Sequence, residues 1–347
     1  MTLNVNQKIY LKKTKYVKAI IIHKTGEPEV LQLQEVETPA ITSPTDVLVK
    51  LKAAGVNPVD AKFRKGMYPI NTFPTILGCD GAGIVEATGD EVSRFKKNDE
   101  VYFFHAGIGN GPGNYAEYIV LDETFVARKP ATVDFIHAAA LPLVFITAWE
   151  ALHDRARIQK GQTVLIHAGA GGVGHIAIQI AKAAGAKVCT TISSDEKAKF
   201  VQQLDADFII NYKQQNFVDA VMQWTDGKGV DIAMDNVGGE LIAATFPAVR
   251  HFGDIVTLLH VPDNMDWSVA RMRNLRFSFE IMLTPLLFDL EETQRHQTWI
   301  LEQCARMVDE HKLKIHVSEI LPLEQAVIAH QKIESGSTTG KIVLKID

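Results

Sequence analysis

Cysteine is scarce in this chain: its 347 residues hold three, Cys79, Cys189 and Cys304, far apart and odd in number. They offer neither a disulfide framework nor a C-x-x-C metal pair, which points to a reducing, cytoplasmic setting. No apolar run reaches the roughly 18 residues that a membrane span needs. Net positive charge is also missing. At −5, with no basic run, the chain lacks the electrostatic footprint expected of a nucleic-acid or membrane-surface protein. Up to about Tyr16 there are lysines but no apolar block ending at a small-residue cleavage site, so a loose extension is expected there rather than a signal peptide. Internal repeats, low-complexity tracts and long linkers are absent. What remains is a globular composition, 46% hydrophobic and 22% charged, in a chain too long for one ordinary core. Two domains are expected.

The most informative stretch runs from Thr163 to Gly185. Thr163 to His167 is a short, β-rich apolar run of the kind that forms a buried strand. Gly169, Gly171 and Gly174 follow at G-x-G-x-x-G spacing, and Ile176, Ala177, Ile180, Ala181 and Ala184 then recur on one helical face. The first glycine permits a tight turn, the second lets the backbone approach a diphosphate, and the third lets helix and strand pack closely. Free N–H groups at the helix start, with the positive end of its dipole, suit the phosphates. Strand, glycines and helix in that order are the stated condition for a dinucleotide site.

Before this stretch, from Val17 to about Pro130, short strands alternate with turns such as Gly26-Glu-Pro28, Gly89-Asp90 and the loop from Gly107 to Asn114. A β-rich first domain, an irregular barrel, is expected. His137 to Leu152 reads as a helical stretch leading into the central strand. Beyond it, strands at Thr163–His167, Lys187–Thr191, Phe208–Asn211, Val230–Met234, Asp254–Leu258 and Leu275–Ile281 alternate with helices. This is the pattern of an α/β doubly wound parallel sheet of six strands. A helix is expected around Glu291–Asp309. The closing Gly340-Lys-Ile-Val-Leu344 looks like a strand returning to the first domain. The expected division is therefore 1–135 with 286–347 as one domain and 136–285 as the dinucleotide domain inserted in it.

A site for the unphosphorylated ribose usually carries an acid about 20 residues past the glycines. Here the second strand ends Ile192-Ser193-Ser194, with no acid at its tip. Its hydroxyls and Lys197 could hold a 2′-phosphate instead, so NADPH is expected over NADH. Ser194 or Asp195 is placed to cap the next helix, and Lys197 can equally be an ordinary exposed residue of it.

Together with Gly55-Val-Asn-Pro-Val-Asp60, Gly78-Cys-Asp-Gly-Ala-Gly83, Gly113-Asn-Tyr-Ala-Glu-Tyr118, Asp235-Asn-Val-Gly-Gly239 and the terminal Gly340-Lys-Ile-Val-Leu344, these features resemble the medium-chain dehydrogenase/reductase superfamily. More narrowly they resemble its zinc-free quinone oxidoreductase branch, the ζ-crystallin type, from about Val17 to Lys345. The resemblance implies a GroES-like β-rich catalytic domain beside a Rossmann domain. It implies Ala170, Gly171, Gly172 and Val173 along the diphosphate, and Ser193, Lys197 and Tyr212 around the 2′-phosphate of NADPH. Asn236 would lie near the adenosine or ribose, Thr147 beside the nicotinamide, and Asn57 in the nicotinamide and substrate cleft. Lys62 stands where classical quinone reductases tend to have tyrosine; Asn57-Pro-Val-Asp-Ala-Lys62 is similar to the alkenal and enone reductases of the branch, in which a lysine here can bond the substrate carbonyl.

Zinc enzymes of the superfamily have Cys at the position of Asn57 and His at that of Cys79. Catalytic zinc needs three such ligands and an open position, and one thiol beside Asp80 does not supply them. No metal is expected, and His105, His137 and His167 lack metal spacing. Without a Lewis acid a conjugated acceptor is the easier target, because negative charge spreads from the attacked carbon to a distant oxygen. Pro58 biases Asn57 toward extended backbone. Asn57 or Lys62 would stabilise the enolate, and Tyr68 or water would return the proton; in the bland alternative Lys62 is solvated and Asp60 only braces the loop. The expected activity is NADPH-dependent reduction of a quinone or an α,β-unsaturated carbonyl. The alternative is a non-catalytic NADPH-binding protein, since fold alone does not imply activity. The strand at Leu275–Ile281 would be a sheet edge needing cover; relatives pair it across a two-fold axis, so a homodimer is expected.

Overall fold

A computed structural model describes residues 16–109 and 111–347; the expected extension before Tyr16 lies outside the described residues, as does one position of the Gly107–Asn114 loop. Six parallel strands form one sheet in the order Phe208–Asn211, Lys187–Ile192, Thr163–Ile166, Val230–Asp235, Val249–Thr257, Arg276–Phe279. Numbered along the chain this is 3-2-1-4-5-6, the order of a complete dinucleotide-binding fold. The central strand is apolar on both faces because helices cover both: Val164, Leu165 and Ile166 are wholly buried. The helix Gly172–Ala183 lays Ile176, Ala177, Ile180 and Ala181 against it. Each large aliphatic side chain buried this way contributes about 1.5–3 kcal/mol.

The β-rich half is two sheets. Gln32–Glu37, Tyr16–Ile22 and Thr75–Ile76 form a small antiparallel sheet. A larger mixed sheet runs Val317–Pro322, Lys341–Lys345, Asp46–Val56, Asp80–Thr88, Glu100–Phe104, Ala127–Arg128, with Tyr118–Asp122 also on Asp46–Val56. The closing strand Lys341–Lys345 therefore pairs antiparallel with Asp46–Val56, matching Ile342 with Val56 and Lys345 with Ala53. This pairing carries Lys341 back to the residues just before Asn57.

Between the halves the expected single helical stretch is broken. Phe135–Ala139 ends, and a second helix, Pro142–Trp149, starts with Pro142 in its first turn. Proline has no N–H and fits only there. The second helix runs on into a wider π-type turn at Glu150–Arg155. That turn places Glu150 beside Glu280, just past the last strand of the six. Both are buried, with Arg155 Nε 2.9 Å from Glu280 and Gln297 Nε2 donating to Glu150 at 3.0 Å. Burial, with the Glu280 carboxylate beside it, pushes the Glu150 carboxyl up to about 9, and burial raises Glu280 as well. At neutral pH the pair shares a proton that an unfolded chain would have released, since a free glutamate titrates near 4.3. Folded protein thus binds more protons than unfolded between about pH 4.5 and 9, and stability falls as pH rises through that window. Glu150→Gln keeps the shape and both hydrogen-bonding roles without a proton to lose. The variant is expected to melt roughly a few degrees higher than the parent at the alkaline end of this window and to show a flatter dependence of Tm on pH. Parallel curves for the two proteins would rule the shared proton out.

Candidate active site

The glycine turn is built by close approach. A Cβ on Gly169 would lie 2.0 Å from Thr190 Oγ1, and one on Gly174 would lie 2.3 Å from the Ala168 carbonyl oxygen. Gly171 and Gly172 differ: their nearest neighbours would be 3.2 Å and 3.4 Å away. The outer side of the turn is therefore a cradle beside the first N–H groups of the helix Gly172–Ala183, which by helix geometry have no partner in a preceding turn. Buried His175 holds the turn in shape. Its Nδ1 donates to the Gly171 carbonyl at 2.8 Å, and its Nε2 accepts from the His316 N–H at 3.4 Å. Burial drives its pKa down to about 4, keeping the ring neutral and able to do both. The only signal for His175 in the sequence is its place directly after the third glycine.

Other residues follow the ends of the neighbouring strands at the same end of the sheet as this turn. Ser193 follows strand two of the sheet and Tyr212 follows strand three, with the Tyr212 N–H donating to the Ile192 carbonyl at 3.2 Å. Tyr212 is exposed. Ser194 caps the next helix through its Oγ to the Lys197 N–H, and the Lys197 ammonium has no carboxylate partner among the described residues. Asn236 stands at the tip of strand four, on the other side of the central strand. Its Nδ2 donates to the His167 carbonyl at 2.8 Å, while its Oδ1 is buried with no partner. The strand order reverses between strands one and four, which is where such sheets receive a ligand. An orphaned buried acceptor and a glycine turn beside the unpartnered N–H groups of a helix start fit a dinucleotide.

Facing the cradle from the β-rich half is a buried polar cluster. Asn57 caps the short helix Pro58–Arg64, with Asp60 accepting from the Asn57 N–H at 2.8 Å. Asp60 also accepts from Tyr115 OH at 2.9 Å and Cys79 Sγ at 3.3 Å. Its own burial lifts Asp60 to about 6. Asp60 is thus a brace of the loop, and Cys79 a free, buried packing residue. Asn57 is wholly buried, its Nδ2 donating to Asp80 at 2.9 Å and its Oδ1 accepting from Lys341. Asp80 accepts from the Leu143 N–H at 2.9 Å, at the start of the helix carrying Thr147. Thr147 is buried, its hydroxyl donating back to Leu143 at 2.7 Å. Val144, between them, is 3.4 Å from the position a Gly172 Cβ would take. Asn57, Thr147 and the glycine turn are thereby linked through Asp80, Leu143 and Val144. Lys62 is half-buried, and loss of solvation lowers its pKa, with no carboxylate partner among the described residues. Tyr68 is 39% exposed and leans on Phe63, ring centres 5.1 Å apart. In the sequence Lys341 is only a letter of the closing Gly340-Lys-Ile-Val-Leu344 motif, and Asp80 only an insufficient metal ligand beside Cys79.

Of the three histidines without metal spacing, His167 is buried between Thr191 and Thr245, and burial lowers it to about 4. His105 stacks on Phe125, and His137 pairs with Asp134 at a helix start. Among the described residues no group of three or more His, Cys, Asp or Glu is arranged to hold a metal ion. Nor is any of their helices long and apolar enough to cross a membrane.

Comparison with known proteins agrees with this layout. The alcohol dehydrogenase GroES-like domain matches residues 43–131, and a domain described as zinc-binding dehydrogenase matches 204–344. A quinone oxidoreductase of Pseudomonas aeruginosa is 32% identical over 92% of this chain and 96% of its own length. The chain belongs to the medium-chain dehydrogenase/reductase family, in its quinone oxidoreductase branch. As a member of that family it is an oxidoreductase acting on a small molecule. Two solved medium-chain relatives bracket the choice of coenzyme. A mycobacterial protein solved with NADPH superposes with TM-score 0.83 at 30% identity, covering 95% of this chain and 100% of that one. A structure described as an NAD-dependent alcohol dehydrogenase superposes with TM-score 0.86 at 31% identity, with the same coverage.

Proposed function

We propose that this oxidoreductase uses NADPH to reduce a quinone or an α,β-unsaturated carbonyl by direct hydride transfer, without a metal. The observation that supports the reading is the half-buried, unpaired Lys62 ammonium on the helix that Asn57 caps. A desolvated cation without a counter-ion suits a site where negative charge appears only during reaction. When bound, the coenzyme supplies the hydride. Ala170, Gly171, Gly172 and Val173 receive its diphosphate, Ser193, Lys197 and Tyr212 its 2′-phosphate, and Asn236 its ribose side. Thr147 borders the nicotinamide. Lys62 donates to the acceptor oxygen as charge builds there, with the second amide hydrogen of Asn57 as a further donor. Tyr68, whose hydroxyl is free among the described residues, or water then returns a proton.

In this reading residues 1–135 and 286–347 form the catalytic unit and 136–285 the coenzyme unit. The outer strand Arg276–Phe279, with Phe279 and Ile281 about half exposed, is covered by a second copy in a homodimer. The three buried free cysteines suit a reducing cytoplasm. The test is oxidation of NADPH and of NADH against a panel of quinones and enones. Acceptor-dependent oxidation of NADPH, with NADH slower, is the expected result. Tight NADPH binding with no turnover on any acceptor would transfer the chain to the non-catalytic NADPH-binding class.

A further inference from the structure

Lys341 is a deeply buried lysine beside Asn57, 2% exposed, and nothing in the reading above uses it. Its ammonium has three hydrogens and meets three acceptors: the Val56 carbonyl at 3.0 Å, Asn57 Oδ1, and Asp80 Oδ2 at 3.5 Å. Two hydrogens are bonded to Val56 and Asn57, the charge is paired with Asp80, and the side chain is buried, so the group is placed to act through Asn57 rather than on substrate. What it does is decide which way the Asn57 amide faces. An amide can turn over with little change in shape, but here a cation lies on one side and a carboxylate on the other. The oxygen must point to Lys341 and the NH2 to Asp80. The reverse orientation would set donor against donor and oxygen against carboxylate. The same stretch of chain also grips the glycine turn. The Gly340 N–H donates to the Ala170 carbonyl at 2.9 Å, and Lys341 Cδ lies 3.4 Å from where a Gly172 Cβ would be.

We propose that Lys341 is a positioning residue of the reductive site, locking the Asn57 amide in one orientation and setting it relative to the coenzyme cradle. The proposal rests on the functional reading above for its kinetic consequence, though not for its geometry. Burial lowers the Lys341 pKa and raises that of Asp80, each held back by the other. Removing one alone leaves a buried charge unpaired, so Lys341→Met by itself can fail to fold. The decisive variant is the charge-balanced Lys341→Met/Asp80→Asn, which keeps volume and an acceptor for the Leu143 N–H.

Two measurements are made on the full-length double variant, with the parent alongside. The first is steady-state reduction of 9,10-phenanthrenequinone together with NADPH titration by fluorescence. We expect kcat to fall about tenfold or more through lost orientation, while the NADPH Kd stays within about threefold. The second is the side-chain amide pair of Asn57 in nitrogen-15 NMR, identified by its absence in Asn57→Ser. It should be one slowly exchanging pair in the parent and exchange-broadened in the double variant. A folded double variant that keeps parental kcat, or whose Asn57 pair stays sharp and protected, overturns the proposal. If the parent reduces no acceptor at all, the functional reading fails on its own, and the amide signals still decide the role of Lys341.

Discussion

Gly174→Ala is expected to melt well below the parent and to lose coenzyme binding, whereas Gly172→Ala, two residues away, should melt normally and still bind poorly. The contrast follows from what each added methyl meets. At Gly174 the methyl would lie 2.3 Å from the Ala168 carbonyl oxygen and 2.8 Å from Gly169 Cα. Both are main-chain atoms of a turn pinned by the Gly171 N–H to Ala168 bond and by His175. Neither can move aside as a side chain could, so overpacking costs about 1–3 kcal/mol at least. At Gly172 the nearest atoms are Lys341 Cδ and Val144 Cγ1, both 3.4 Å away, which is ordinary contact. The fold accepts that methyl, which is expected to obstruct the approach of the coenzyme diphosphate to the turn. Thermal melts with and without NADPH separate the two effects. Equal melting of both variants would show that the turn is not the close-packed element its distances describe.

The second large effect concerns the choice of coenzyme. Lys197→Ala is expected to weaken NADPH binding by about tenfold to a hundredfold while leaving NADH nearly unchanged. A hydrogen bond to a charged group is worth about 1.5–3 kcal/mol, and only NADPH carries the phosphate that would receive it. The Lys197 main chain is anchored by the Ser194 cap, and its side chain has no competing carboxylate among the described residues. The substitution therefore removes a ligand contact without removing a structural one, and Tm should hold. Isothermal titration with both coenzymes measures the ratio. Equal weakening of both, or of neither, would place the 2′-phosphate elsewhere and reopen the case for NADH.

The amino-acid sequence alone determined the elements whose signal is local. The strand, three glycines and apolar helical face within Thr163–Gly185 reappear as the central strand and the helix Gly172–Ala183, because a period of 3.6 and a fixed glycine spacing are properties of neighbours in the chain. The missing acid after Ile192 and the helix at Glu291–Asp309 were legible for the same reason. The break at Pro142 shows where even a local signal was underused.

What the sequence left to the tertiary structure are contacts between side chains with no periodic relation. Lys341 meets Asn57 across 284 residues, and Glu150 meets Gln297 across 147. A lone lysine in a closing strand reads as solvent-facing, because charged groups are buried only when a partner is present. The partner is supplied by strand pairing, which aligns Ile342 with Val56 and so brings Lys341 beside Asn57. Register between distant strands is a property of the assembled sheet. It decided which polar groups are paired, which brace the Asn57 loop, and which amide orientation is allowed.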